Sequence, residues 1–334
     1  MRPTIRDVAA MAGVSIKTVS RVLNNEAHVS KGTRRRVQEA VEALRFRPSM
    51  AARALARGRS HQVALLYDNP SPYYVYHAQT GARERCRELG FRLIFQECDI
   101  RSSEFVAEVR ALIDETHADG LILSPPVTDQ AALLTELKRR NTPFVRIAPG
   151  NNKGICPYTY IDDVAAATEM TRYLAGLGHR RIAFVVGHAA HSSARDRLRG
   201  YRKGLEAEGL AEDPALVRQG RYDYESGRTA AQELLELGRP PTAIFASNDD
   251  MAAGVVSAAH ELGIRIPEEL SVAGYDDTDM ARALWPPLTT IHQPTRALAY
   301  AATDLLLGGA PPATVRLLEH RLVIRGSTAP PAKR

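Results

Sequence analysis

The side chains with chemistry to offer fall into two sets. Ile16, Lys17, Ser20 and Arg21 point outward from the start of a short amphipathic segment, the part of a recognition helix that meets base edges. The second set stands at the ends of apolar runs: Asp68-Asn69, Arg146, Asn248-Asp249-Asp250 and Asp276-Asp277, with Arg195 and Arg197 in the loop that opens at Ser192. Carboxylates, amides and guanidinium groups gathered in a cleft recognise a small polar ligand through paired hydrogen bonds. A plainer reading stands beside it: Asp162, Asp249, Asp250 and Asp277 as helix N-caps, and the loop arginines as surface charge. Covalent and cofactor chemistry find no footing. The chain has no GxGxxG after a strand, no P-loop and no GxSxG. His179, His188 and His191 cluster in sequence without a third-ligand pattern, so a helix cap and loop histidines are expected in place of a metal site. Cys86, Cys98 and Cys156 are scattered, odd in number and without CxxC spacing, which reads as reduced thiols of a cytoplasmic protein. No catalytic residue, metal or cofactor is expected.

Those side chains need elements to carry them. Thr4 and Asp7 make a capping-box-like start to a helix whose apolar face is Ile5, Val8, Ala9 and Ala12. Gly13 ends it, and Ser15 caps a second helix with Val19, Val22 and Leu23 inward. Helix, glycine turn and helix make a helix-turn-helix. Ser30 then caps a third helix, with Val37, Ala40, Val41 and Leu44 on one face and Arg34, Arg35 and Arg36 near its start. Charge follows the same division. Residues 1–60 hold 13 Lys+Arg against 4 Asp+Glu, a net of +9, leaving 31 against 34 elsewhere, a net of −3, within the whole-chain +6. A patterned basic head on a near-neutral body is the footprint of a nucleic-acid binder.

From Gln62 onward, short β-branched runs at 63–67, 92–96, 120–124, 143–147, 181–187, 243–247 and 271–275 alternate with helical stretches. The helices are expected at 78–89, 163–177, 193–209, 224–237 and 249–263, and the second set begins near Tyr158. Strand–helix alternation implies parallel sheets, and two sets imply two doubly wound lobes with a ligand cleft beyond the strands' carboxyl ends. A chain of 334 residues with 44% hydrophobic and 25% charged residues is long enough for two or three ordinary domains. It has no run of about 18 apolar residues to span a membrane, and Met1 to Asp7 lack the apolar core of a signal peptide.

Thr4-Ile5-Arg6-Asp7-Val8-Ala9, Ala12-Gly13-Val14-Ser15 and Thr18-Val19-Ser20-Arg21-Val22-Leu23-Asn24, continued by His28-Val29-Ser30, Thr33-Arg34 and Val37, resemble the headpiece signature of the LacI/GalR family of bacterial transcriptional repressors. The resemblance implies an α/β chain: an N-terminal helix-turn-helix headpiece (1–47), a hinge helix (48–60) and a two-lobed doubly wound core of periplasmic-binding-protein type (61–334). Lobe 1 is expected over 61–161 and 293–320, lobe 2 over 162–292 and 321–330. It further implies base contacts from Ile16, Lys17 and Arg21, and phosphate contacts from Thr4, Ser15, Thr18, Asn24, His28, Ser30 and Thr33. In the hinge, which is too short for a stable isolated helix, Leu55 matches the family's minor-groove wedge. Small Ala52 beside it lets two hinges approach. The implied partners are a palindromic double-stranded operator and a second copy of the chain, in the cytoplasm and at the nucleoid.

Gly178-His179-Arg180-Arg181-Ile182-Ala183, Ser193-Ala194-Arg195, Ala246-Ser247-Asn248-Asp249 and Val272-Ala273-Gly274-Tyr275-Asp276-Asp277 resemble the family's core motifs in order. By that resemblance Arg197, Asn248 and Asp276 fall on effector-binding positions, and Asp68, Arg146, Tyr222 and Gln293 line up with others. Paired donors and acceptors beside an aromatic plate suit a polyhydroxylated ligand, a sugar or sugar acid. Arg146 departs from the family pattern, since sugar-binding relatives carry an acid there and a guanidinium cannot accept. It points to a carboxylate- or phosphate-bearing ligand, unless Arg146 pairs with Asp68 or Asp162. No leucine heptads follow the expected closing strand near Arg321–Thr328, so a dimer is expected, not a coiled-coil tetramer. A periplasmic binding protein would share the core, yet would need a signal peptide and have no use for residues 1–60. In the family's mechanism the ligand sets the lobes, the lobes set the hinges, and the hinges set operator affinity; whether it induces or corepresses stays open.

Overall fold

The structure, a computed structural model, describes residues 3–23, 26, 28–46, 60–151 and 153–332. It divides into two compact units, Met1–His61 and Gln62–Arg334. Among the described residues no helix is long and apolar enough to cross a membrane.

In the first unit, α1 (Ile5–Ala12), α2 (Ile16–Leu23) and α3 (Lys31–Ala43) pack around Val8, Ala9, Ala12, Val19, Val22, Val37, Ala40 and Phe46. The local signals work as their chemistry requires. Asp7 accepts from the Thr4 amide at 2.7 Å and from its hydroxyl at 2.8 Å. Gly13 turns the chain at φ +63°, a left-handed conformation that favours glycine. Ser15 accepts from Thr18 N at 3.1 Å and Ser30 from Thr33 N at 3.3 Å, so both helices are side-chain capped.

The second unit holds two six-stranded sheets. The first is built from β1 (Gln62–Tyr67), β2 (Arg92–Glu97), β3 (Gly120–Leu123), β4 (Phe144–Ile147), β5 (Tyr158–Tyr160) and β11 (Val315–Leu317), in the order β11-β5-β4-β3-β1-β2. The second is built from β6 (Ile182–Val186), β7 (Val217–Gln219), β8 (Ala243–Ala246), β9 (Ser271–Asp276), β10 (Thr289–His292) and β12 (Arg321–Val323), in the order β12-β10-β9-β8-β6-β7. Every pairing is parallel except β10 with β12. Central strands are buried along their whole length, β3, β6 and β8 among them, because helices cover both faces of a parallel sheet. Helices α4 (Pro72–Glu88), α5 (Phe105–Thr116) and α6 (Ala131–Arg139) follow the early strands of the first sheet. The second sheet carries α7 (Asp163–Gly176), α8 (Ser192–Ala207), α9 (Tyr224–Leu235), α10 (Asp249–Glu261) and α11 (Asp279–Ala283). Helix α12 (Thr295–Leu307) leaves the second sheet and packs on α4, β3 and β4 of the first. The chain therefore passes between the sheets after β5, after β10 and after β11.

Two expectations change. The strand near Tyr158 closes the first sheet and does not open the second, since Tyr158 lies beside Arg146 of β4 and Val315 of β11. Helix α4 starts at Pro72, not near Ala78. Tyr73, Tyr74, Val75 and Tyr76 are weak helix formers, but proline suits a first turn and Tyr74 is buried. Gly81 lets the backbones of α4 and α12 meet, as a Cβ there would sit 1.9 Å from the Arg296 carbonyl oxygen.

Candidate functional site

The headpiece presents one surface. Ile16 is 45% exposed although apolar, and Lys17 and Arg21 are exposed on the same helix, while Val19 and Val22 hold its other side in the core. Thr4, Ser15, His28 and Ser30 are exposed around them, and Thr18 and Thr33 are half-buried, engaged with Ser15 and Ser30. Arg21 lies 3.6 Å from Glu26, an exposed pair that costs little to exchange for another acceptor. Asn24, Ala52 and Leu55 lie outside the described residues.

In the core, residues just past the carboxyl ends of strands from both sheets converge on one small cavity of about 30 Å³. The first lobe supplies Asn69, Ser71, Tyr74 and Ala148; the second supplies Asp163, Arg197, Tyr222, Asn248 and Asp276, with Gln293 at the crossing. At its centre is Arg197, 4% exposed. Its Nε donates to Asp163 Oδ1 at 2.8 Å, Nη1 to the Ser247 carbonyl at 2.5 Å and Nη2 to Gln293 Oε1 at 2.8 Å. The guanidinium lies 3.6 Å from the centre of the Tyr275 ring, whose hydroxyl donates to the same Asp163 oxygen at 2.7 Å. A buried cation held this way has no freedom to rotate; the fork is preorganised. Gly187 makes room for Tyr222, since a Cβ there would lie 2.0 Å from the ring. His191 meets that ring edge-on, and burial, with His188 and Arg197 adding to it, pushes its pKa down to about 3, so the imidazole is neutral.

Asp276 is the unsatisfied member. Its side chain is 8% exposed, Arg197 Nη1 is 3.8 Å from Oδ1, and that oxygen has no hydrogen-bond partner among the described residues. Burial, opposed by Arg197 and reinforced by Asp249, Asp250 and Asp163, pushes its carboxyl well above the usual range. The backbone is strained at the same place: Asp276 has φ +109° and Asp277 φ +56°. Such conformations persist where surrounding structure imposes them, commonly at ligand sites. Asp249 supplies the constraint by accepting from Thr278 N at 2.8 Å, Thr278 Oγ1 at 3.0 Å and Thr290 Oγ1 at 2.7 Å. Across the cleft, Ser71 Oγ donates to Asp250 Oδ2 at 2.5 Å, which ties the lobes together.

Burial, opposed by hydrogen bonds from Thr278 and Thr290, raises the Asp249 carboxyl to about 7 from 3.8. The folded chain thus binds this proton more tightly than the unfolded chain. The stability it contributes is complete below the unfolded pKa and is lost as pH rises through the folded value. Chemical unfolding between pH 5 and 8 should therefore show wild type losing stability relative to Asp249→Asn as pH rises; parallel curves would remove Asp249 as the titrating group.

Five of the seven sequence-predicted core residues, Arg197, Tyr222, Asn248, Asp276 and Gln293, line the cavity. Asp68 and Arg146 do not. Asp68 accepts from Ile100 N at 3.2 Å. Arg146 is 1% exposed, donating to the Thr128 carbonyl and Asp129 at 2.7 Å each and to Asn151 at 3.2 Å. Its charge is met by Asp129, where Asp68 or Asp162 was the expected alternative partner, and this withdraws the ground for a carboxylate- or phosphate-bearing effector. Among the proposed caps, Asp162 caps α7 by accepting from Ala165 N at 2.9 Å. Helix α10 is capped by Asn248 through Met251 N at 3.0 Å, while Asp277 pairs with Arg325 and His292. Asp163, Tyr74, Tyr275 and His191 were not foreseen as site residues. An acid after a capping acid reads as first-turn charge, and the aromatics read as core.

Residues 4–49 match the family described as bacterial regulatory proteins, lacI family, and residues 171–328 match the periplasmic binding protein-like domain. The chain is 33% identical to the HTH-type transcriptional regulator DegA of Bacillus subtilis (strain 168), over 99% of this chain and 99% of that protein. It is 31% identical to the HTH-type transcriptional repressor CytR of Escherichia coli (strain K12), over 97% of this chain and 96% of that protein. Among solved structures, the lac repressor dimer bound to operator and the anti-inducer ONPF superposes with TM-score 0.87 at 31% identity, covering 98% of this chain and 100% of that one. The transcriptional regulator CelR–cellobiose complex superposes with TM-score 0.75 at 30% identity over the same shares. With a buried arginine–aspartate clamp between two doubly wound lobes and a capped helix-turn-helix ahead of them, this chain belongs to the LacI family of DNA-binding bacterial transcriptional repressors.

Proposed function

We propose that the chain acts in the cytoplasm, at the nucleoid, as a homodimeric repressor whose affinity for a palindromic operator is set by a neutral polyhydroxylated effector, a sugar, bound between the core lobes. The observation that carries this is the pairing of a preorganised donor fork, Arg197, with an acceptor left open, Asp276 Oδ1, in a cavity walled by both lobes. Sugar hydroxyls donate and accept at once and would complete both. The charge of Arg197 is already answered by Asp163 at 2.8 Å, which favours a neutral ligand over an acid. The cavity is far below the about 300 Å³ of ordinary small-molecule sites, so a ligand enters by parting the Ser71–Asp250 contact. That lobe movement is the means by which occupancy reaches the DNA-binding unit. The lac repressor dimer on operator and the regulator complexed with cellobiose are the related cases that support the partners and the ligand class.

Selection from random DNA followed by binding at fixed salt, beside calorimetry of neutral sugars against their acid forms, tests the reading. A chain that prefers no DNA sequence with or without sugar would end it, and tight binding of a sugar acid with none of its neutral parent would reverse the charge assignment. At the headpiece, Arg21→Ala should relax base preference at one position by about 1–3 kcal/mol. Thr33→Ala should weaken all sequences alike. A uniform loss from Arg21→Ala would move it to the phosphate set.

A further inference from the structure

The lobes touch at two rims of the cleft. At one, Ser71 Oγ donates to Asp250 Oδ2. At the other, the turn that follows β4, carrying Ala148, Pro149, Gly150 and Asn151, meets Ser192 at the start of α8. Ala148 lines the effector cavity and holds φ +46°, a conformation that side chains with a Cβ seldom adopt. Its surroundings impose it. The Gly150 amide donates to both oxygens of Asp129 at 3.1 Å each. Asp129 also accepts from Arg146 Nη2 at 2.7 Å, and the same nitrogen donates to Asn151 Oδ1 at 3.2 Å. A buried ion pair adds little net stability over apolar side chains of similar size; what this one supplies is a fixed place for the turn.

Gly150 has no side chain at the point where the lobes meet. Its φ is not positive, so backbone conformation does not call for glycine. The contact does: a Cβ there would lie 2.1 Å from Ser192 Cβ and 2.6 Å from its Oγ. Asp129 clamps the turn and Ser192 Cβ is fixed to α8, so the lobes themselves must part to admit even a methyl group. We infer that this turn is the closing lip of the effector cleft, seated on Ser192 through Gly150, with Arg146 and Asp129 as its positioning residues. The inference rests on the cleft reading and gives that site its gate: a side chain at position 150 holds the lobes apart with no ligand present.

Leu298 lines the cavity from α12 and is 1% exposed, so the thiol of Leu298→Cys reports opening of the cleft. Cys86 and Cys98 are buried and do not line the cavity, which makes them the internal reference for opening of the fold as a whole. The rate of modification by methyl methanethiosulfonate is followed thiol by thiol, by peptide mass spectrometry of the full chain. Gly150→Ala should speed Leu298→Cys several-fold and leave Cys86 and Cys98 unchanged. Adding Ser192→Gly should restore the slow rate, since the next atom, Asp129 Oδ2, would be 3.2 Å from the new Cβ. Arg146→Met should speed the reaction by itself and add nothing to Gly150→Ala, because both act on one contact. Should Leu298→Cys or Arg146→Met fail to fold, Ser193→Cys, which also lines the cavity, and Asp129→Asn take their places. An unchanged rate in Gly150→Ala, a fast rate that survives Ser192→Gly, or additive effects of Arg146→Met and Gly150→Ala overturns the assignment. Neither DNA nor a sugar enters the readout, so failure here is separable from failure of the repressor reading.

Discussion

Arg197→Ala is expected to destabilise the core by about 3–5 kcal/mol, the usual cost of removing one partner from a buried, hydrogen-bonded ion pair. The loss has identifiable parts. Asp163 keeps the Tyr275 hydroxyl but loses the guanidinium at 2.8 Å, and is left as a buried charge with half its partners. The Ser247 carbonyl and Gln293 Oε1 lose their donors, and Tyr275 loses the cation stacked at 3.6 Å. Arg197→Lys restores charge without the planar fork, so it should recover part of the stability and little of the ligand binding. Guanidinium chloride unfolding, with the slope compared between variants, measures the change. A loss under about 1 kcal/mol, the scale of an exposed pair, would mean that the clamp does not hold this cavity together.

Asp276→Asn should move stability and function in opposite directions. The wild-type carboxyl group is buried, which disfavours its charged form, with one oxygen unsatisfied among the described residues and its backbone at φ +109°. A neutral amide removes the cost of burying that group, and asparagine tolerates positive φ better than most side chains. The ligand-free core should gain on the order of 1 kcal/mol, which thermal denaturation would record as a rise of about 2–4 °C for a unit of this size. The same change removes the strongest open acceptor in the cleft, so a sugar that raises the melting temperature of wild type should no longer raise that of the variant. A stabilised protein with its ligand response intact would show that Asp276 is not the acceptor. A destabilised one would show that the carboxylate is structural.

Much of this molecule is legible along the chain because its signals are local. The headpiece follows from caps, one glycine and apolar spacing within a few residues, and Thr4, Gly13, Ser15 and Ser30 each do in space what their chemistry dictates in sequence. Strands β6, β8 and β9 appear as β-branched or apolar runs because parallel strands are buried on both faces. Asn248, Asp276 and Arg197 were visible as polar residues where an apolar run ends or a helix begins. What pairing does to a charged group is another matter. Arg146 looked like a ligand contact until the turn after β3 placed Asp129 against it at 2.7 Å. Asp163 carries no signal in sequence beyond following a capping acid, and only α8 brings Arg197 to it from 34 residues away. Local propensity and periodicity sufficed for the elements, their order and the strand ends where ligands sit. Which buried charges cancel one another, and that the Asp276 carboxyl keeps an oxygen without a partner among the described residues, was settled only when helices and sheets distant in sequence packed. Electrostatic energy depends on separations of a few ångströms, and sequence distance does not encode them.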